Sequence, residues 1–210
     1  MRAFRWRNHD KISFDLFEHG VIKRRTFKPK GNDPGTTESD PEWTSGHPVV
    51  FPNILRVGTS FEYRVPIDDK HTWHVELTSY WFPDDVDAAE QDRVPHTYVT
   101  LKRPDGLWRS DDTFSQDHIA WILQGAMMDR TSERLGESDK GLIFYRQMLV
   151  EQMDVVEAGG EPIGVIRDPA ENVMLHNAQE GWGQLGHNAD IQEIARYGSP
   201  LRDEIAEVLT

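Results

Sequence analysis

Apolar and polar residues alternate along "ISFDLF" (Ile12 to Phe17) and again along "VIKRRTF" (Val21 to Phe27). A period of two puts one side of a strand against a core and the other in water. The short "EHG" between the two runs, ending in Gly20, predicts a β-hairpin. Residues 28 to 48 are rich in Gly, Pro, Asp, Ser and Thr and read as a long loop, mobile or functional.

Three further runs predict strands: Val49 to Val57, Ser60 to Ile67 and Thr72 to Phe82. The short turn sequences between them predict an antiparallel meander, with Pro52 at an edge or bulge. "HTYVTL" (His96 to Leu101) is a shorter strand candidate after an acidic loop.

The last third of the chain changes period. Thr113 with Gln116 has the form of a capping box and predicts a helix running toward Arg134 and ended by Gly136. A second helix is expected from about Asp139 to Ala158, capped by Ser138 and stopped by "GG", with Leu142, Ile143, Met148, Leu149, Val155 and Val156 at helical spacing. Short helices are expected near Ala189 to Tyr197 and Leu201 to Leu209. Strands followed by helices give an α+β domain, helices on one face of an antiparallel sheet.

With 210 residues, seven Trp and nine Phe, the chain is long and apolar enough to bury a core. It has no cysteine, which excludes disulfides, thiolate nucleophiles, zinc ribbons and any iron–sulfur cluster held by this chain. A net charge of -13 argues against nucleic acid as a partner. No run approaches the roughly 18 apolar residues of a membrane helix, and the N-terminus turns polar too soon for a secretory signal. A cytoplasmic, membrane-free protein is the expectation.

One acid stands out. In "SQDHIAWILQGAMMDR", Asp117, Trp121, Gln124 and Met128 fall on one stripe of the expected helix, while Ile119, Ile122, Leu123 and Ala126 occupy much of the rest. A helix apolar on most of its circumference is buried, and a buried carboxylate must be paired, protonated or metal-bound. An acid in a first turn also interacts well with the helix dipole, by roughly 0.3–1 kcal/mol. The period leaves both readings open.

The segment "QDHIAWILQGAMMDRTSERLGESDKGLIFYRQML" (Gln116 to Leu149) resembles Rieske-type non-heme iron oxygenase large subunits of the phenoxybenzoate dioxygenase and carboxyvanillate O-demethylase type. The matching features are Gln116-Asp117, Gln124-Gly125, Asp129-Arg130, Glu133, Leu135-Gly136 and Ser138-Asp139. "GHPVVFPNILRVG", "FEYRVPIDDKHTWHV" and "EAGGEPIGVIRD" extend the likeness. The resemblance implies a helix-grip (START/Bet v 1-like) fold, a curved antiparallel sheet against a long C-terminal helix, incomplete relative to the family. It implies a mononuclear Fe(II) held by two His and one carboxylate, with Asp117 as that ligand and the catalytic acid. Gln124, Trp121, Met128, His74 and Asn53 would be second shell to the iron or line an apolar substrate pocket.

For an intact enzyme the resemblance implies a reductase or ferredoxin feeding a [2Fe-2S] centre, then the iron of a neighbouring subunit in a homotrimer. Dioxygen would there hydroxylate an aromatic ring or O-demethylate an aryl ether, the substrate an aromatic acid. The chain departs from the family in having neither the Rieske cysteines nor the D-x-x-H-x-x-x-x-H pair. It therefore reads as a C-terminal catalytic portion: 1–166 the partial catalytic domain, with strands about 12–101 and helices about 114–158, and 167–210 an extension, with the Rieske domain absent. The chain alone is expected to be inactive. His71 and His74 fall on opposite faces of a strand, and His118 lies about 100° round the helix from Asp117. Two rivals remain: a non-catalytic helix-grip module for an apolar or aromatic ligand, and a split enzyme whose partner chain supplies the histidines.

Overall fold

A computed structural model describes residues 8–57, 60–79, 94, 96, 98–110 and 113–173. Its elements are β1 (His9–Phe17), β2 (Gly20–Phe27), α1 (Pro41–Thr44), β3 (His47–Val50), β4 (Ile54–Val57), β5 (Ser60–Asp68), β6 (His71–Thr78), α2 (Thr113–Ile122) and α3 (Lys140–Glu157). The six strands form one sheet in chain order, β1-β2-β3-β4-β5-β6. The antiparallel meander expected from the alternation and the α+β helix-grip arrangement implied by the resemblance are both present. The chain divides into two compact units, one carrying the sheet and α3, the other carrying α2.

The β1–β2 hairpin turns where expected. Gly20 has φ +152° and its Cα faces β3 so closely that a Cβ would lie 2.0 Å from the Val49 carbonyl oxygen. No other residue fits there. The long loop after β2 is tied down along its length. Phe27 N–H donates to Thr36 Oγ1 at 2.9 Å, and Arg24 donates to the carbonyls of Trp43 and Thr44 while its Nε holds Asp15. Lys11 lies 4.6 Å over the Trp43 ring.

Three expectations are corrected in the strands. Val49 to Val57 is two strands, β3 and β4, and Pro52 stands in the turn between them in cis linkage to Phe51, not at an edge or bulge. Asn53 closes that turn: its Nδ2 donates to the Arg64 carbonyl at 3.1 Å, and its own carbonyl accepts from Arg64 N–H at 3.0 Å. The run His96 to Leu101 is irregular at its described positions, with Tyr98 78% exposed. A Lys102–Trp108 bridge around Gly106 follows it.

Helix α3 packs on β1 and β2. Gly141, Phe144, Tyr145, Met148, Leu149 and Val155 recur at helical spacing on its inward side, where Val21, Phe51 and Met148 form the core with Phe14, Tyr145 and Ile163 against them. Of the positions singled out by the period, Leu142, Ile143 and Val156 are exposed instead. Tyr145 reaches across to donate its hydroxyl to the Pro52 carbonyl at 2.6 Å. Asp139, not Ser138, stands at the N-cap position of α3, and its side chain closes the preceding 3-10 turn Glu137–Asp139 instead of bonding a helix N–H. Asp139 Oδ2 accepts from Gly136 N–H at 2.8 Å, and Asp139 N–H donates back to the Gly136 carbonyl. At its end, Gly160 N–H bonds the Val155 carbonyl and Gly159 N–H that of Val156, a Schellman motif with Gly159 at φ +81°. "GG" is the stop, as expected. The two short helices expected beyond residue 189 lie outside the described residues.

Candidate functional site

Strand register carries the face under α3 across the sheet. Val21 pairs with Val49, Val49 with Leu55 and Leu55 with Glu62, so that face continues onto Ser60, Glu62 and Arg64 of β5. Contacts from Ser60 to Thr78 and Glu62 to His74 bring His74, Glu76 and Thr78 of β6 to the same side. The alternate positions Val65, Ile67, Trp73, Val75 and Leu77 point to the other face and are exposed. The inner face of the grip is therefore polar over β5 and β6, which corrects the expected apolar pocket. His74 lies on this face.

The two carboxyls here have opposite environments. Glu62 is 7% exposed. Burial alone would raise its pKa, but the imidazole of His74 and the guanidinium of Arg64 together outweigh it and hold the carboxyl below its ordinary value. Arg64 Nη2 donates to Glu62 Oε2, and His74 Nε2 lies 3.6 Å from the same oxygen, an ionic contact too long for a hydrogen bond. For Glu76 burial wins. It pushes the carboxyl up against the hydroxyls of Ser60 and Thr78, and the nearby charge of Glu62 adds to the rise. The two carboxyls of this face are thus pushed in opposite directions, Glu62 down and Glu76 up.

Alternation along β5 and β6 marks these six residues as one face. It does not say which face turns inward. The usual preference for apolar residues inside favours Trp73 and Val75, so alternation alone does not single out Glu62 and Glu76.

The segment around Asp117 is built differently from the expectation. Helix α2 ends at Ile122, where Gln124 and Gly125 N–H close onto the Trp121 and Ile122 carbonyls and Gly125 takes φ +91°. Gly125 is the stop, and Arg130–Ser132 follows as a separate 3-10 turn. Of the four-residue stripe, only Asp117 and Trp121 are on the helix. Asp117 is exposed, Trp121 is 40% and Leu123 67% exposed, and Ser115 is the buried residue. Burial therefore does not compel Asp117 to bind a cation. His118 stacks edge-on against Trp121 at 5.2 Å, Gln124 Nε2 donates to the Ala120 carbonyl, and Met128 Sδ accepts from Arg130. Those local partners, together with the turn role of Asn53, account for the contacts of Gln124, Met128 and Asn53 without an iron.

The segment after α2 is fixed by ions. Arg146 on α3 grips Glu133 with both nitrogens, at 2.6 and 2.9 Å, and Asp129 Oδ1 accepts from Thr131 N–H and Oγ1. The "DRTSERLGESD" run thereby has a structural account for Asp129, Glu133, Gly136 and Asp139.

Among the described residues, no group of three or more His, Cys, Asp or Glu comes together to hold a metal ion. The chain has no cysteine for a Rieske cluster. Fe(II) and [2Fe-2S] do not find a complete ligand set here, and no chemical step is routed through either. Among the same residues, no helix is long and apolar enough to cross a membrane.

Comparison with known proteins gives three similarities. Residues 111–183 match the family described as "LigXa C-terminal domain like". The chain is 36% identical over 167 residues to the 5,5'-dehydrodivanillate O-demethylase oxygenase subunit of Sphingobium sp. (strain NBRC 103272 / SYK-6), covering 80% of this chain and 38% of that protein. It is 34% identical over 50 residues to the phthalate 4,5-dioxygenase oxygenase subunit of Pseudomonas putida, 24% of this chain and 11% of that protein. The chain thus spans about two-fifths of the first relative's length.

Proposed function

We propose that the chain belongs with the Rieske-type aromatic oxygenase large subunits and is the C-terminal catalytic-domain portion of such a subunit. The observation that carries this reading is the 36% identity over 80% of the chain to an O-demethylase oxygenase subunit. The helix-grip sheet supports it. So does the apolar surface left open on the described residues, including Trp73, Trp121, Leu123, Met127, Val150 and Met153, because unpaired apolar area of this kind marks a surface built to be covered.

In this reading the intact subunit uses Fe(II) and dioxygen to hydroxylate an aromatic ring or O-demethylate an aryl ether. A reductase or ferredoxin supplies electrons through a [2Fe-2S] centre, and the subunits form a homotrimer in the cytoplasm. Asp117 is one of three iron ligands, the two histidines coming from outside these 210 residues. By itself the chain holds no stoichiometric iron and turns nothing over, since one carboxylate does not fix the geometry of Fe(II).

The test is Asp117→Ala in the full subunit, read by iron content and by the spin resonance signal of the cluster. Loss of the mononuclear iron and of turnover on an aromatic methyl ether, with the cluster signal retained, is the expected result. A full complement of mononuclear iron in the variant would overturn the assignment. The exposure of Asp117 favours the rival, a helix-grip module binding an aromatic ligand without metal. An in-frame coding sequence upstream that lacks both the cluster motif and the histidine pair would decide for it.

A further inference from the structure

A helix that sits on a sheet needs one apolar face, and α3 has two. Its inward side, with Gly141, Phe144, Tyr145 and Met148, packs on β1 and β2. A second stripe runs beside it. Leu142, Arg146, Leu149, Met153 and Val156 follow one another at gaps of four, three, four and three residues, the spacing of a coiled-coil seam, and Ile143 and Val150 flank them. Leu142, Ile143, Val150, Met153 and Val156 are 38, 37, 59, 68 and 54% exposed. Lys140, Gln147, Glu151 and Asp154 make a separate polar side about 60° wide, so the stripe is not the face this helix needs for water. Arg146, the one charge in the seam, is already held by Glu133 through two hydrogen bonds.

Area and charge both point to a second copy as what covers it. The five exposed side chains leave roughly 500 Å² of apolar surface open, in the upper part of the range for the largest patch on a monomer. Two such stripes face to face remove about 1,000 Å², the least a specific interface needs, before their polar margins are added. Laid antiparallel about a two-fold axis between Leu149 and Val150, the stripe complements itself. Leu142 meets the partner's Val156, the stem of Arg146 meets the partner's Met153, and the two Val150 side chains meet at the axis. At both ends Lys140 faces the partner's Glu157, and its ammonium has donors to spare beyond its exposed contact with Glu137. Parallel pairing would set lysine against lysine and glutamate against glutamate, and would align the two helix dipoles.

We propose that the outer stripe of α3 is a self-association surface, on which a second copy of this chain docks its own α3 antiparallel across a two-fold axis. The proposal rests on α3 and not on the oxygenase reading. Within the homotrimer of that reading the contact joins subunits of different rings, since a three-fold axis does not supply a two-fold contact.

Sedimentation equilibrium of the 210-residue chain at about 50 µM and ~0.15 M salt is the first measurement. A dimer of twice the 24.2 kDa chain mass is expected. Val150→Glu sets two carboxylates against each other at the axis and should weaken dimerisation about tenfold or more. Circular dichroism should not change, because Val150 is exposed. Orientation is read by cross-linking, which the cysteine-free chain makes specific. With a short bifunctional maleimide, Val150→Cys should join two copies. Glu157→Cys should not, because a rise of about 1.5 Å per residue puts the two copies of that position about 22 Å apart in the antiparallel arrangement. A monomer at that concentration overturns the proposal and leaves the stripe to a helix of another chain. So does a trimer or an open-ended aggregate as the main species, or a dimer that survives Val150→Glu in the folded chain. Failure of Val150→Cys to cross-link, or equal cross-linking at Glu157→Cys, overturns it as well.

Discussion

Gly141 stands in the first turn of α3, where alanine would ordinarily be an improvement of about 1 kcal/mol in helix propensity. Here an added Cβ would lie 2.3 Å from Cδ1, 2.5 Å from Cε1 and 3.1 Å from Cγ of Phe14. Carbon atoms in contact are about 3.5 Å apart, so two ring atoms overlap the new methyl by about an ångström. The Phe14 ring must leave its place against Val21 and Met148, or α3 must rise from β1. Overpacking of this kind costs about 1–3 kcal/mol, and an overlap this deep belongs in the upper part of that range. Subtracting the propensity gain, Gly141→Ala should lose about 1–2 kcal/mol net. Urea unfolding followed by far-ultraviolet circular dichroism reads it as a lower midpoint at unchanged slope. In a Phe14→Leu background the penalty should shrink, since the shorter side chain yields. A raised midpoint for Gly141→Ala alone, or the same penalty in both backgrounds, would refute the close seating of helix on strand from which the grip geometry follows.

Three further outcomes are expected. Glu76 has its pKa raised above the ordinary 4.5 by burial, so its contribution to stability is fully present below 4.5 and is lost as pH rises through the folded value. Stability curves of the unaltered chain and Glu76→Gln should diverge above that pH, and parallel curves would contradict the burial. Glu62 is lowered below 4.5 by His74 and Arg64 against the opposing effect of burial, so its stabilising contribution is present above 4.5 and disappears as pH falls through the folded value. Glu62→Gln should flatten the acid limb of the profile, and an unchanged limb would count against the ionic contacts. The bidentate Glu133–Arg146 pair should show a larger coupling in a double-mutant cycle than the exposed Glu137–Lys140 pair on the next turn. Arg146→Lys should lose much of it because ammonium cannot reproduce the fork. Equal couplings would remove the anchoring role given to Glu133.

Where one face is buried and the other wet, the sequence speaks clearly. The β1–β2 hairpin and the run of β5 follow directly from alternation, because a one-residue slip would turn Val21 out and Lys23's neighbours in. Breaks inside runs were harder to read. Val49 to Val57 alternates well enough to pass for one strand, yet Phe51-Pro52-Asn53 carries turn chemistry, and proline has no N–H to give a ladder. Apolar spacing carries the helix from Thr113 on toward Arg134, twelve residues past its end at Ile122. The stop at Gly125 was in plain view after Gln124, but Ala126, Met127 and Met128 continue the apolar spacing past it. Spacing records which residues would share a face if a helix existed. It does not record whether the backbone turns left at a glycine between them.

The same distinction governs the site. A charge in an apolar run implies a partner only where that charge is buried; with Asp117 exposed, the case for it as a ligand passes entirely to likeness with known oxygenase subunits. Glu62 and Glu76 gave no such local signal, since each sits in an alternating strand where a polar residue is unremarkable. Their meaning lies in register: Leu55 pairs with Glu62, and Val49 with Leu55, back to the Val21 beneath α3. Only that chain of pairings turns the polar side of β5 and β6 inward. Once it is inward, the desolvation that raises the Glu76 carboxyl follows. The burial of Glu62 and Glu76 therefore depends on three successive strand registers, which no single stretch of sequence contains.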